Sequence, residues 1–196
     1  MRAFAIIPAA GRSQRMGRPK LLLPWGDETV VDRVLAAWRA SCVVVVVVVV
    51  RRDDCALAER CRAAGVTLVI PPVDPPDMKA SIHFGLKYVQ REFTPQEDDV
   101  WLLAPADMPR LATRVVDALC AAHDSAAPTI LVPTFDGRRG HPVLFPWSVI
   151  DDVARLRPDE GLNALLRSHP VRELPCDEPA ILDDLDTPAD YGRMRP

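Results

Sequence analysis

Hydrophobic and polar positions along the chain follow two alternating periods. Short, unbroken apolar runs predict strands that are buried on both faces of a sheet. These runs lie at residues 3–7, 43–50, 66–70, 99–104, 129–133 and 171–174. Apolar positions spaced by about 3.6 residues predict helices between them. The helices are expected at 27–41, about 54–64, from 79 onward, about 110–122, 147–156, 160–168 and after 187. This alternation predicts an α/β fold with a parallel or mostly parallel sheet covered on both faces.

Polar residues at the ends of the periodic segments predict helix caps. Asp53 or Asp54 is expected to cap the helix that Gly65 ends, and Asp159 the helix at 160–168. Ser81 near the start of the helix at 79 is a candidate cap, and Thr187 precedes a proline at the first turn of the last helix.

Composition and length narrow the class of protein. The 196 residues are 48% hydrophobic and 26% charged, without a repeat or a linker, which predicts one domain over 1–196. A net charge of −3 gives no basic field for nucleic acid. The longest apolar run, 42–50, is far below the ~20 residues of a membrane span. Five cysteines without C-x-x-C spacing predict free thiols, and with no signal-peptide pattern the expected location is cytoplasmic.

The first predicted strand is followed by a loop suited to binding a polyphosphate. Residues 8–20 combine small side chains and two glycines with four basic residues. Small residues let backbone N–H groups approach an anion closely. The spacing fits neither the Walker A loop nor the dinucleotide fingerprint. An ordinary basic surface loop is the alternative, but Lys20 is one of only three lysines among 24 basic residues, and a compact ammonium suits a single phosphate oxygen.

The stretch from Ala9 to Pro24, AAGRSQRMGRPKLLLP, resembles the A-A-G-x-S-x-R-M-G-x-x-K-x-L-L-P signature of MobA-like nucleotidyltransferases. It is most similar to the molybdenum cofactor cytidylyltransferase branch. Three later segments extend the resemblance over essentially the whole chain: DMP at 107–109, GHPVLF at 140–145 and LDDLDTPADY at 182–191. The resemblance implies a three-layer, Rossmann-like nucleotidyltransferase fold.

The same resemblance assigns residues to roles. Arg15, Lys20 and Asp107 are the expected catalytic residues, and Asp107 and Asp186 the expected Mg²⁺ ligands. Gly140 and His141 are expected near the acceptor, and Gly140 is expected to permit a tight turn there. A hairpin turn with a solvated histidine is the alternative. The expected nucleotide-binding residues are Ala9, Ala10, Gly11, Arg12, Ser13, Arg15, Lys20 and Ser81. Residues 159–161 depart from the family's G-D-x-G turn, which leaves this turn without an assigned role.

These residues fit nucleotidyl transfer, because a phosphate acceptor is already ionised and needs no protein nucleophile. The A-A-G form of the loop resembles cytidylyltransferases, whereas guanylyltransferases usually carry A-G-G. The expected reaction is transfer of CMP from CTP to the phosphate of molybdopterin with release of pyrophosphate, and a target molybdoenzyme is a possible partner. The alternatives are transfer of another nucleotide, a sugar-phosphate acceptor, or a non-catalytic carrier of the cofactor.

Overall fold

A computed structural model describes all 196 residues. The strands, numbered in chain order, are β1 Ala3–Pro8, β2 Pro24–Trp25, β3 Glu28–Thr29, β4 Val45–Val49, β5 Thr67–Val69, β6 Val100–Leu103, β7 Ile130–Phe135, β8 Arg138–Arg139, β9 Val143–Pro146 and β10 Val171–Pro175. The helices are α1 Val30–Arg39, α2 Cys55–Ala63, α3 Met78–Phe93, α4 Thr113–Ala122, α5 Ile150–Arg155, α6 Leu165–Ser168 and α7 Pro188–Met194. No helix is long and apolar enough to cross a membrane.

The central sheet has the strand order β10-β7-β9-β6-β1-β4-β5, with β8 paired to β7. β9 runs antiparallel to its neighbours β6 and β7, and the other strands along this path are parallel. The mostly parallel α/β fold predicted from the sequence is therefore confirmed. The strand order reverses at β1, because β4 and β5 follow on one side and β6 lies on the other. Open α/β sheets bind ligands at the carboxyl ends of strands at such a switch point.

Hydrophobic side chains pack on both faces of this sheet. Along β1, Ala5 and Ile7 join the larger core cluster, and Phe4 and Ile6 join the smaller one on the opposite face. All four residues are fully buried. This two-sided burial is the reason that the strand reads as an unbroken apolar run.

Several helix boundaries differ from the sequence prediction. α1 begins at Val30 and not at residue 27, because β2 and β3 form a small hairpin around Gly26, whose φ is +62°. The Thr29 side chain and Asp32 then form a capping box at the start of α1. Of the two candidate caps of α2, Asp54 fills the position and accepts from the Leu57 N–H.

Of the remaining predicted caps, two are wrong and one is confirmed. Asp77 caps α3, so Ser81 lies inside the first turn of the helix. Asp159 caps nothing, because the chain passes through a short 3-10 turn whose N-cap is Gly161 before α6. Thr187 caps α7 in a second capping box, with Pro188 at the first helical position as predicted.

The segment at 136–145 forms a hairpin onto β7. Asp136 and Gly137 make its turn with φ values of 48° and 72°. Gly140 lies after the turn and does not have a positive φ, so the expectation that it permits a tight turn is wrong. A Cβ at residue 140 would lie 2.5 Å from the carbonyl oxygen of Ile181, so close packing is what requires glycine here.

Candidate active site

A cleft of about 620 Å³ opens at the carboxyl ends of β1 and β6, at the switch point of the sheet. The loop after β1 forms one wall, the start of α3 forms another, and the loop after β6 contributes Asp107. Its charged lining residues are four bases and four acids: Arg12, Arg15, Lys20, Arg51, Asp74, Asp77, Asp107 and Asp186.

The loop after β1 is held in a compact turn by its own polar groups. Ser13 has a left-handed backbone with φ 49°, and its carbonyl accepts from the N–H groups of Met16 and Gly17. The Ser13 hydroxyl accepts from the N–H of Lys20 at 3.2 Å. This bond fixes the start of the Lys20 side chain against the loop.

Arg51, at the end of β4, holds the same loop from the side. Its guanidinium donates to the carbonyls of Ala10 at 3.1 Å and Gly11 at 2.9 Å, and only 12% of its side chain is exposed. The N–H groups of residues 10–13 make no hydrogen bond within the protein. A Cβ added at Gly11 would meet nothing within 4 Å. The loop therefore presents free backbone donors beside open space, as an anion-binding loop requires.

Four charged side chains meet at the floor of the cleft. The Lys20 ammonium contacts Asp107 Oδ2 and lies 3.1 Å from Asp186 Oδ1. Arg15 binds the other oxygen of Asp186 at 2.9 Å. The two carboxylates are brought together by the main chain as well, because the Leu185 N–H donates to the carbonyl of Asp107 at 3.0 Å.

Burial and the neighbouring charges act on the pKa values of this cluster. Burial lowers the pKa of Lys20, but Asp107 and Asp186 together outweigh that effect and hold the pKa above its usual value. Lys20 is therefore an ammonium at neutral pH. Burial raises the pKa of Asp184, and the nearby carboxylates of Asp186 and Asp107 raise it further.

The donor set at the floor fits a divalent cation. Asp107 Oδ1 is buried and has no hydrogen-bond partner, and the two carboxylates already share one cationic group. No group of three or more His, Cys, Asp or Glu side chains forms a complete protein site. Mg²⁺ is commonly held by one or two carboxylates together with substrate phosphates, which this pair of aspartates matches.

The residues expected to bind the nucleotide all line the cleft. The Arg12 guanidinium forms ion pairs with Asp53 at 3.3 Å and with Asp74 at 2.9 Å. Ser81 is buried in the first turn of α3, and its hydroxyl donates to the Asp77 carbonyl at 3.2 Å.

Gly140 and His141, expected near the acceptor, do not line this cleft. The N–H of His141 donates to the Ile181 carbonyl at 2.9 Å. Burial lowers the pKa of the His141 imidazole, against the opposing effects of the Leu103 carbonyl and the carboxylates of Asp184 and Asp107. His141 is thus partly buried near the carboxylates of Asp184 and Asp107, and the alternative of a solvated histidine is wrong.

Sequence reasoning missed Arg51 as a site residue. Its signal was present, since it follows a buried strand at the carboxyl edge where the first loop also lies. Only the pairing of β1 with β4 brings the two together.

Comparison with known proteins agrees with this geometry. A family model for the MobA-like NTP transferase domain matches residues 5–174. Purine catabolism protein PucB of Bacillus subtilis is 29% identical over 98% of this chain and 95% of its own. The molybdenum cofactor cytidylyltransferase of Escherichia coli is 23% identical over 95% of this chain and 92% of its own.

Solved structures give the same result for the whole chain. Rv0371c from Mycobacterium tuberculosis superposes with a TM-score of 0.83 at 29% identity, covering 99% of this chain and 98% of that one. A complex of Rv0371c with manganese gives a TM-score of 0.79 at 27% identity, covering 100% of this chain and 98% of that one. The agreement therefore extends beyond the loop after β1 to all elements that build the cleft.

Proposed function

The chain belongs to the MobA-like NTP transferase family, and on this premise we propose that it transfers CMP from CTP to the phosphate of molybdopterin, releasing pyrophosphate. The observation that carries the proposal is the cluster of Lys20, Asp107 and Asp186 beside the loop of free amides. That arrangement offers anion donors and cation ligands side by side, as a metal–triphosphate substrate needs.

The loop and its two cationic side chains bind the triphosphate in this proposal. The free N–H groups of residues 10–13 donate to phosphate oxygens, and Arg51 keeps these groups presented by holding the carbonyls of Ala10 and Gly11. Arg15 and Lys20 stabilise the charge that develops on the departing pyrophosphate.

Asp107 and Asp186 would hold Mg²⁺ together with the substrate phosphates. An ion bound there would supply positive charge at the α-phosphate during attack. The four basic and four acidic side chains of the cleft balance each other, so the protein alone does not neutralise a bound triphosphate. The manganese complex of Rv0371c supports a divalent cation in such a fold.

The acceptor attacks with an oxygen of its own phosphate. Because this oxygen is ionised at neutral pH, no side chain has to remove a proton. Gly140 and His141 stay predicted acceptor contacts. In this proposal the acceptor approaches past Asp184, where the His141 imidazole lies near the carboxylates of Asp184 and Asp107.

The choice of CTP and molybdopterin rests on the A-A-G form of the loop and on the cytidylyltransferase relative. PucB is named for purine catabolism, which identifies no nucleotide. The experiment that tests the choice is calorimetric titration of the protein with nonhydrolysable analogues of CTP, GTP, ATP and UTP in the presence of Mg²⁺.

Tightest binding of the CTP analogue is the expected result, followed by CMP transfer when molybdopterin is supplied as its molybdenum form. Tightest binding of the GTP analogue would overturn the base assignment in favour of guanylyl transfer. Binding of none, without product from any nucleotide, would favour the non-catalytic carrier. Asp107→Asn is the control for turnover, because product formation that survives it does not come from this site.

A further inference from the structure

The position between the two proposed metal ligands is occupied by a side chain of the protein. The Lys20 ammonium contacts Asp107 and Asp186 together, and 19% of its side chain is exposed. Arg15 completes the neutralisation of Asp186 at 2.9 Å. Two cations and two carboxylates therefore balance within the cluster before any ligand arrives.

We propose that Lys20 is the resident cation of this position, so that it competes with the divalent metal and is drawn away by the triphosphate. The inference rests on the proposed function of the site and adds how the metal and the triphosphate affect each other's binding. The free protein binds the metal weakly. The metal and the triphosphate bind cooperatively because each lowers the electrostatic cost of binding the other.

The competition follows from charge and burial. Asp107 is 7% exposed and Lys20 is largely covered, so solvent and salt screen their interaction poorly. A divalent ion placed on the same oxygens would stand beside the ammonium and be repelled by it. Lys20 has to leave Asp107 and Asp186 before the metal gains the full attraction of both carboxylates.

The cleft leaves room for the Lys20 ammonium to move away from the two carboxylates. Its main chain is fixed by the bond from its N–H to Ser13 Oγ, while the lysine stem is flexible. The ammonium therefore swings about a fixed base, and the loop of free amides is the place where an anion would attract it. A bound triphosphate gives Lys20 a second anionic partner and frees Asp107 and Asp186.

This arrangement makes one substitution act on two affinities in opposite directions. Lys20→Met removes the competitor of the metal and also removes a ligand of the phosphates. By thermodynamic reciprocity, the factor by which the triphosphate raises the affinity for the metal equals the factor by which the metal raises the affinity for the triphosphate. A merely structural role of Lys20 would weaken both, since disorder of the cluster damages both sites.

The test measures the two affinities separately by calorimetry. Mn²⁺ alone is titrated into the free protein, and the CTP analogue alone is titrated in the presence of EDTA. For Lys20→Met we expect Mn²⁺ to bind about tenfold tighter and the metal-free analogue about tenfold weaker, within the usual range of coupling factors. Lys87→Met is the matched control, because Lys87 bonds only the nearby Gln90 side chain, and both affinities should match the parent.

Unchanged or weaker Mn²⁺ binding in Lys20→Met would overturn the proposal. A second variant, Lys20→Gln, keeps a similar length without the charge, and the same pair of shifts is expected. Circular dichroism melts of each variant verify that it is folded before titration. Because the Mn²⁺ titration contains no nucleotide, its result is independent of the base preference. A failure of the CTP assignment therefore does not decide whether Lys20 competes with the metal. The Mn²⁺ titration tests that competition independently.

Discussion

Replacement of Gly140 by alanine tests how the hairpin is joined to the segment that carries Asp186. Gly140 is buried, and its N–H donates to the Pro133 carbonyl at 2.9 Å. A Cβ at this position would lie 2.5 Å from the Ile181 carbonyl oxygen, 2.6 Å from Ile181 Cγ1 and 2.8 Å from Ile181 Cβ. All three distances are too short for contact, and one involves the backbone, so the two segments must move apart.

The magnitude follows from the contacts that the separation breaks. Overpacking a buried position costs about 1–3 kcal/mol. The same Ile181 carbonyl accepts the N–H of His141 at 2.9 Å, and weakening that bond adds about 1 kcal/mol. We expect Gly140→Ala to reduce the free energy of unfolding by about 2–4 kcal/mol. In a protein of this length that lowers Tm by about 5–15 °C.

Urea and thermal melts followed by circular dichroism measure the effect. Gly192→Ala is the matched control. Gly192 lies in α7, and a Cβ at this residue would meet nothing within 4 Å. Alanine in a helix is more stable than glycine by about 0.5–1 kcal/mol, so this control should be slightly more stable than the parent.

The packing argument is refuted if Gly140→Ala unfolds within about 0.5 kcal/mol of the parent protein, the range of an ordinary surface substitution. A variant that loses stability but keeps full nucleotide binding would locate the damage at Ile181 alone. A loss of both would indicate that the displacement reaches Asp186 through the intervening chain.

Three further substitutions probe the site and the fold. Arg51→Ala should weaken binding of the CTP analogue about tenfold, about 1.4 kcal/mol, because the loop carbonyls lose their donor, and calorimetry measures the change. Asp107→Asn should reduce pyrophosphate release at least about a hundredfold, since a proposed metal ligand loses its charge. Burial raises the pKa of Asp99, but its bonds from Arg2 and Gln96 outweigh this and hold the pKa below its usual value. That stabilisation is complete above the pKa of the unfolded state and is lost as the pH falls through the pKa of the folded state. In urea melts, Asp99→Asn should therefore be less stable than the parent at pH 7. It should also lose less stability than the parent as the pH falls toward 3.

The strands were the most predictable part of the fold because each is specified locally. In β4 the valines are buried on both faces, and no competing turn residue interrupts them. The loop after β1 was equally readable, since its small and basic residues lie within one short stretch. The sequence predicts a helix at residues 27–29 because the apolar period of α1 extends near them. The turn at Gly26 and the capping box at Thr29 overrode that period.

Contacts between distant segments were beyond the sequence pattern. The role of Arg51 depends on β4 lying beside β1, and its position after a buried strand does not by itself identify the carbonyls to which it donates. The sequence predicts glycine at residue 140 for a turn, whereas the structure requires it for the close approach to Ile181. Side-chain chemistry was readable from residue type, whereas the partner of each group required the topology of the sheet.

The two proposed metal ligands illustrate how that topology builds a site from separate motifs. Asp107 lies in the loop after β6, but Asp186 reaches the cleft only because the chain returns after β10 to pack beside the hairpin at 136–145. Two main-chain bonds fix this return, from His141 to Ile181 and from Leu185 to Asp107. Leu185 is fully buried, which anchors the second bond. Since the backbone and not the carboxylates sets the spacing, removing either charge should leave the other carboxylate in place. Single substitutions at Asp107 and Asp186 can therefore be interpreted as losses of a ligand and not of the site.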